Sequence, residues 1–352
     1  FIFYELLTLS TYPLVTHAGT PEAKQGGRVY LGILLGTSIG LFLLGILVTW
    51  TLTGRVDFQT GGILSGHIDP AWAGLLYALF LFGIGKAAVM PFHRWLPAAM
   101  VAPTPVSALL HAVAVVKAGV FTLLKVTIYI FGGDFILSND VTGGLIWVAA
   151  ATILIASMVA MTKDNLKARL AYSTVSQLSY IVLGAMLASK AGLLGASMHI
   201  AMHAFAKITL FFAAGAIFIA SHKKQVSELN GLGRAMPVTF AAFFICTLSN
   251  IGLPPLGGMW SKWYLGLGTV ETAQLLLLAV LMISSLLNIM YLLPIPIRAF
   301  FSRPESGEHY TEIAEAPMPM LLAMVITSIA CVILFFYPDP FYRLAGLAAR
   351  GY

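Results

Sequence analysis

Five lysines, Lys86, Lys117, Lys125, Lys207 and Lys262, stand inside long apolar stretches of this chain. At similar depth one acid, Glu5, accompanies them, together with three histidines, His111, His199 and His203. Placing a lysine near the centre of a bilayer costs at least ~2.5–3.5 kcal/mol on insertion scales, so such residues face an interior path or one another rather than lipid. His199, His203 and Lys207 fall at i, i+4 and i+8, which sets three titratable groups on one helix face over about 12 Å of rise. That spacing suits a proton wire. The histidine pair also has a metal-ligand spacing, but no carboxylate or cysteine at matching depth completes a coordination sphere. His111 and Lys117 are six residues apart. On a regular α-helix they differ by about 9 Å in height and about 120° in direction, so they serve successive positions on a path rather than one shared site. Desolvation disfavours the charged form of a lysine and a carboxylate partner restores it, so a lysine whose partner can move becomes a proton carrier. Lys125, near the end of its stretch, is expected to snorkel instead.

The elements that hold these residues follow from length and hydropathy. A spanning helix needs about 20 mostly apolar residues. Such stretches recur at 1–17, 28–52, 71–101, 104–131, 143–162, 166–188, 192–220, 237–265, 272–297 and 317–337. They are too long and too continuously apolar for barrel strands, which predicts an all-α, polytopic transmembrane helix bundle. The third stretch carries Gly83, Gly85, Pro91 and Pro97, and the eighth carries Gly252, Pro254, Pro255, Gly257 and Gly258, so both helices should be discontinuous. Repeat-built transporters place broken helices at equivalent points of each half. Residues 1–131 therefore read as the remnant of a first repeat and 143–297 as a second, inverted because five helices is an odd number. Residues 298–352 read as a cytoplasmic loop and a C-terminal transmembrane helix. The chain opens on Phe1 within an apolar run, and it is expected to be a fragment lacking its N-terminal part.

Composition agrees with a membrane protein. Of 352 residues, 59% are hydrophobic and 10% are charged, against roughly a quarter charged in a soluble domain. This argues against a soluble enzyme, a disordered segment or a nucleic-acid partner despite a formal net charge of +6. With loops alternating across the membrane, one side holds Lys24, Arg28, Arg94, Lys163, Lys167, Arg169, Lys223, Lys224, Arg234, Arg298 and Arg303. The other holds Arg55, Lys190, Arg343 and Arg350. The richer side is cytoplasmic by the positive-inside rule, and topogenic charge accounts for most of the basic excess. Cys246 and Cys331 both lie in apolar runs and suffice for neither a disulfide framework nor a cluster site. No quinone, flavin or nucleotide motif is present, and no cofactor is expected.

Five segments carry a resemblance: FYELLTLSTYPLV, FGIGKAAVMPFHRWLPAAMVAPTPVSALLHAVAVVKAGVFTLLK, KARLAYSTVSQLSYIVLG, HIAMHAFAKITLFFAAGAI and LSNIGLPPLGGMWSKWYLG. In this order they resemble the antiporter-like subunits shared by respiratory complex I, Mrp-type cation/proton antiporters and membrane-bound hydrogenases. The resemblance implies a core of fourteen helices with two inverted five-helix repeats, of which about the first four helices are missing here. It implies that Glu5 and Lys86 form the ion pair of a first half-channel and that His111 and Lys117 continue a central polar axis. His199, His203 and Lys207 would extend that axis, and Lys262 would be the terminal carrier. The lysine in VVKAGV is similar to that of the D-type member of Mrp antiporters and of the middle antiporter-like subunits of complex I. Lys262 departs from the glutamate of the M type, and the chain stops too soon after its last span for the lateral helix of the L type. A D-type Mrp member or a hydrogenase-type relative fits best.

The function expected is proton movement, with exchange for Na⁺ as a further expectation, by one module of a multisubunit membrane assembly. Its partners would be other membrane subunits, the lipid bilayer and the ions, and its place the inner membrane of a bacterium or archaeon. Electron transfer would belong to the partner subunits. Two alternatives are a stand-alone secondary cation/proton antiporter and a structural scaffold whose buried charges fix helix register.

Overall fold

The computed structural model describes residues 1–304 and 312–349, so Arg350 of the topology count lies outside the described residues. Among the described residues the chain is helical without a β-strand; Asn165 and Gln225 form one isolated bridge. Among the described residues six helices are long and apolar enough to cross a membrane: α2 (Pro21–Thr53), α4 (Thr104–Phe131), α6 (Leu166–Leu187), α7 (Lys190–Ser221), α10 (Leu275–Phe301) and α11 (Met318–Phe336). Four shorter apolar helices occupy the other expected stretches: α1 (Ile2–Val15), α3 (Pro70–Gly83), α5 (Ile146–Thr162) and α8 (Pro237–Ile251). Two of these are short because the chain breaks. Beyond α8 it resumes as α9 (Gly258–Glu271), and a further helix, α12 (Asp339–Ala349), follows the last span where the sequence suggests only an outside loop.

Helix starts are set by local chemistry. Asp69, Asn165 and Ser189 cap α3, α6 and α7 by accepting from Ala71 N at 2.9 Å, Ala168 N at 3.0 Å and Gly192 N at 3.1 Å. Each such cap is worth about 1 kcal/mol. The breaks are set by proline and glycine. After Gly83 the backbone leaves the helix and makes a 3₁₀ turn, Gly85–Ala87, before further short turns lead to Val101. α8 ends on Gly252 at φ +93°, whose N–H returns to Leu248 O and Ser249 O, and Pro254 and Pro255 prevent any continuation. Two discontinuous helices, third and eighth in chain order, are thus present as expected.

One expectation is corrected. α4 is not a regular α-helix: Leu109–Val113 and Thr127–Phe131 are π-helical, and Ala114 sits at φ −97°, ψ −80°. The wider turn contains His111, and the irregular Ala114 separates it from the α-helical turn of Lys117, so the angle and rise predicted for an unbroken helix do not apply.

The loops expected on the basic side meet at one end of the bundle. Leu166 N bonds to Lys224 O, Val226 N to Asp164 O and Gly231 N to Arg298 O. Arg169 reaches Lys163 O at 2.7 Å and Tyr291 O at 3.1 Å, and Lys167 reaches Ala102 O at 2.7 Å. At the opposite end Thr142 bonds to Met186 O, and Ala191 N donates to Glu271 Oε2. The centre is α6, nearly every residue of which is buried from Ser173 to Leu187. α7 packs beside it and is about 48 Å long at 1.5 Å per residue, longer than the ~30 Å hydrocarbon core. Gly195 lets α7 approach α9 to main-chain contact, since a Cβ there would lie 2.6 Å from Leu265 N. α11 is tied to both neighbours: Thr327 pairs with Thr209 of α7 at 2.6 Å, Cys331 O accepts from Gly257 N at 2.8 Å, and Phe335 O accepts from Trp260 Nε1 at 2.9 Å.

Candidate functional site

Lys86 occupies the first break itself. Its side chain is fully buried, its Nζ donates to Tyr4 O, and it lies over the Tyr4 ring, 3.3 Å from the centroid. The turn that carries it rests on α4, where a Cβ on Gly119 would collide with the main chain of Lys86 and Ala87. Glu5 is one residue from Tyr4, but its carboxylate oxygens are buried without a hydrogen-bond partner. The expected Glu5–Lys86 ion pair is therefore not closed by a hydrogen bond, with Lys86 drawn to a main-chain oxygen instead. An unpartnered buried carboxylate costs free energy, so this arrangement favours closure of the pair.

The remaining groups converge on α7. His203 Nδ1 lies 2.6 Å from Lys117 Nζ, a contact between residues 86 apart in sequence that joins the first half of the chain to the second. Because an ammonium only donates, His203 Nδ1 is the acceptor here. The His203 and His199 rings stack with centroids 5.8 Å apart, and the Tyr180 ring also stacks with His199 at 5.8 Å. His199 is held at both nitrogens, by Ser261 Oγ at 2.8 Å from Nδ1 and by Gln177 Oε1 at 3.0 Å from Nε2. Ser261 immediately precedes Lys262, whose Nζ donates to Ile251 O at 3.0 Å and Ser285 Oγ at 3.1 Å and lies 4.8 Å from the Tyr180 ring centroid. At the other end of the row Lys207 Nζ donates to Ser173 Oγ at 2.7 Å. Lys207 and Lys117 thus flank His203, and the histidines lie between those lysines and Lys262.

His111 stands apart. It is fully buried against Phe211, 4.9 Å between ring centroids, and neither ring nitrogen has a hydrogen-bond partner. The structure does not bring it into direct contact with Lys117. Lys125, for which snorkelling is expected, is half-buried and lies over the Phe58 ring, 3.7 Å from its centroid.

Several participants escape sequence reasoning. Tyr4 supplies the oxygen that holds Lys86. Ser173, Gln177 and Tyr180 of α6 line the row, and Ser173 continues through Tyr291 (3.2 Å), itself bonded to Asn288, to Asn250 (Nδ2 to Asn288 Oδ1, 3.2 Å). A second cluster, Ser157, Ser176 and Ser284, closes within 2.9–3.3 Å of one another. Their signal is STVSQLSY, a polar run inside an apolar span, which only a buried helix lined by polar partners tolerates.

A buried row of lysines and histidines beside two broken helices, among apolar helices of membrane-spanning length, defines a class, the polytopic membrane proteins with a buried polar row. Comparison with known proteins places the chain within it: residues 1–288 match the family described as NADH:quinone oxidoreductase/Mrp antiporter, transmembrane, and the chain belongs to that family. It is 34% identical over 326 residues to NADH-quinone oxidoreductase subunit N of Desulforudis audaxviator, covering 91% of this chain and 63% of the relative. It is 30% identical to the chloroplastic NAD(P)H-quinone oxidoreductase subunit 5 of Chlorokybus atmophyticus, covering 98% and 56%. The chain thus spans about three fifths of the length of these curated relatives. Among solved structures, it superposes on a chain of the Mrp complex from a Dietzia species with a TM-score of 0.86 at 25% identity, covering 99% of this chain and 72% of that one. A chain of an archaeal membrane-bound sulfane sulfur reductase gives the same TM-score and identity over 99% and 70%.

Proposed function

We propose that this chain carries protons across the membrane as one subunit of a larger membrane complex. The axis runs from Glu5 and Lys86 through His111 and Lys117 to His203, with Lys207 beside it, and on through His199 to Lys262. One observation carries the reading: the 2.6 Å contact between Lys117 Nζ and His203 Nδ1, which turns two sets of buried titratable groups into a connected series. Each lysine is held by oxygens or a nitrogen that accept from it, so each can hold a proton and release it when its neighbour gains one, because like charges in close series oppose double occupancy. Internal water completes the steps longer than a hydrogen bond.

Membership of multisubunit assemblies among the similar structures supports other membrane subunits as partners. The antiporter part of the family's description supports exchange for Na⁺, and the D-type Mrp member is the subtype favoured by Lys117 and Lys262. We assign the chain to the inner membrane of a bacterium or archaeon, in line with the archaeal reductase. The segment 1–131 is read as the remnant of a first five-helix repeat and 143–297 as the second, inverted one, supported by the two breaks five helices apart; 298–352 follows as loop and last span.

The test is proton flux in vesicles holding the complete complex. Lys207→Met and Lys86→Met each remove a carrier while keeping an apolar side chain, so each should abolish flux with the complex still assembled. Wild-type flux in both would overturn the reading.

A further inference from the structure

At the basic end of the bundle a groove of about 830 Å³ opens between α4, α7 and α11. Its walls are apolar, with Pro105 at the start of α4, Phe212, Phe218 and Ile219 on α7, and Met320 and Ala323 on α11. Phe212 lies nine residues before Ser221, the last residue of α7, which is about 14 Å along the axis. The groove thus runs inward from the ends of three spanning helices. Phe218 and Ile219 are 38% and 50% exposed, an apolar surface suited to hydrocarbon rather than water.

The mouth of the groove is basic. Lys167, Lys223 and Lys224 line it, and among the described residues no acidic side chain does. The acids beside them in sequence are engaged on the loops. Asp164 accepts from Ser227 N at 3.0 Å and Ser227 Oγ at 2.7 Å, and Glu228 accepts from the main-chain N–H groups of Lys224 and Gln225. The main chain itself brings two of the lysines together, since Leu166 N donates to Lys224 O at 3.0 Å. Lys224 Nζ stands 4.8 Å from the centroid of the Phe218 ring, where the basic mouth meets the apolar wall. Lys167 is half-buried, and of its three N–H donors Ala102 O takes one at 2.7 Å.

Topogenic charge explains on which side of the membrane these lysines stand, but it does not require them to converge on one groove. A soluble anion would account for the lysines and leave the apolar walls unexplained; an apolar partner helix would do the reverse. A phosphate joined to an acyl chain answers both, and basic pockets between spanning helices are a recurrent setting for anionic headgroups. We infer that the groove binds one anionic phospholipid, its phosphate held by the ammonium groups of Lys167 and Lys224 and an acyl chain lying between α4, α7 and α11. Bound there, the lipid bridges α4 of the first half of the chain and α6 and α7 of the second. The inference does not depend on proton carriage.

The experiment uses the complete complex in vesicles containing phosphatidylglycerol with a photoreactive group on its acyl chain, followed by mass spectrometry of the labelled peptides. Label should fall on 212–219 and 319–323, and excess plain phosphatidylglycerol should remove it where phosphatidylcholine does not. Lys167→Gln combined with Lys224→Gln should lower the labelling about tenfold or more, through two lost contacts to phosphate, whereas the exposed pair Lys24→Gln and Arg28→Gln, outside the groove, should leave it within about twofold. Ala323→Trp fills the apolar part with the lysines intact and should also abolish labelling, an effect that binding of a bare phosphate would not show. Equal competition by phosphatidylcholine would mean ordinary boundary lipid and would overturn the inference. So would undiminished labelling in the double lysine variant or in Ala323→Trp, and so would the absence of label from both segments in wild type, which would mean that another protein segment covers the groove. The competition is read on wild type, so it decides even where a variant fails to assemble.

Discussion

Gly195→Ala is the sharpest structural test of the row. The added methyl would lie 2.6 Å from Leu265 N and 2.9 Å from Tyr264 C, both main-chain atoms of α9 that no rotamer change can move. Ordinary contact begins at about 3.4 Å, so α7 and α9 must part by about 0.8 Å at this point. His199 lies one turn along α7 from Gly195, and Ser261 lies one turn along α9 from Leu265. A rigid separation of that size carries the 2.8 Å His199–Ser261 contact to about 3.6 Å, past hydrogen-bonding range. The stability cost is that of overpacking, about 1–3 kcal/mol. The transport cost is larger, because displacements near 1 Å in a transfer geometry cost up to about 100-fold. The assay is proton flux in vesicles beside thermal unfolding of the same complex: flux should drop by about 10- to 100-fold while the complex remains folded. Leu265→Ala in the same chain should not rescue flux, since the closest contact is with backbone. Wild-type flux in Gly195→Ala, or full rescue by Leu265→Ala, would refute this account of how α7 and α9 set the row.

Lys262→Arg should stop net pumping although it preserves charge, because a guanidinium does not release its proton at usable pH; near-normal rates in vesicles would mean that Lys262 acts as a fixed charge. Outside the membrane, the main-chain N–H groups of Gln225 (2.8 Å) and Lys224 (3.0 Å) hold the Glu228 carboxyl below its usual range. A depressed folded value means that the stabilisation is in place above the ordinary glutamate value of about 4.3 and is lost as pH falls through the lower folded one. Amide hydrogen exchange at Lys224 and Gln225 should therefore rise in acid in wild type and be insensitive to pH, beyond its intrinsic chemistry, in Glu228→Gln; equal acid responses would exclude the cap as its source.

The residues legible in sequence are those whose presence in a membrane is expensive. Lys86, Lys117, Lys207 and Lys262 stand out because nothing but a path or a partner justifies them, and the two breaks announce themselves through proline and glycine. Fold class follows from the same economy of polar groups. What sequence hides is whatever depends on pairing between distant helices. Tyr4 O as the acceptor of Lys86 is a backbone atom and leaves no trace in residue type. The Lys117–His203 contact spans 86 positions, and periodicity within one helix says nothing about which neighbour it meets. The π-helical turns of α4 are invisible to reasoning that assumes 3.6 residues per turn, which is why a regular helix misplaces His111 relative to Lys117. The serines and Gln177 of α6 are visible but ambiguous, since a serine in a helix often satisfies itself on the preceding turn, as Ser179 does with Val175 O at 3.1 Å.

The last span has a different kind of consequence. Its three ties, at Thr327, Cys331 and Phe335, are spaced four residues apart and so form one stripe along α11, and two of the three are made by carbonyl oxygens. Carbonyls are supplied by any amino acid, so these two hydrogen bonds do not depend on which side chain stands at 331 or 335, where packing of buried Cys331 and stacking of Phe335 on Trp260 set the choice instead. Length is not free. Inserting or deleting one residue ahead of Thr327 rotates the stripe by about 100° and slides it about 1.5 Å, releasing all three ties together. Variation in this helix should therefore accumulate as substitutions at constant length, and a one-residue change in length should be the rarer and more damaging event.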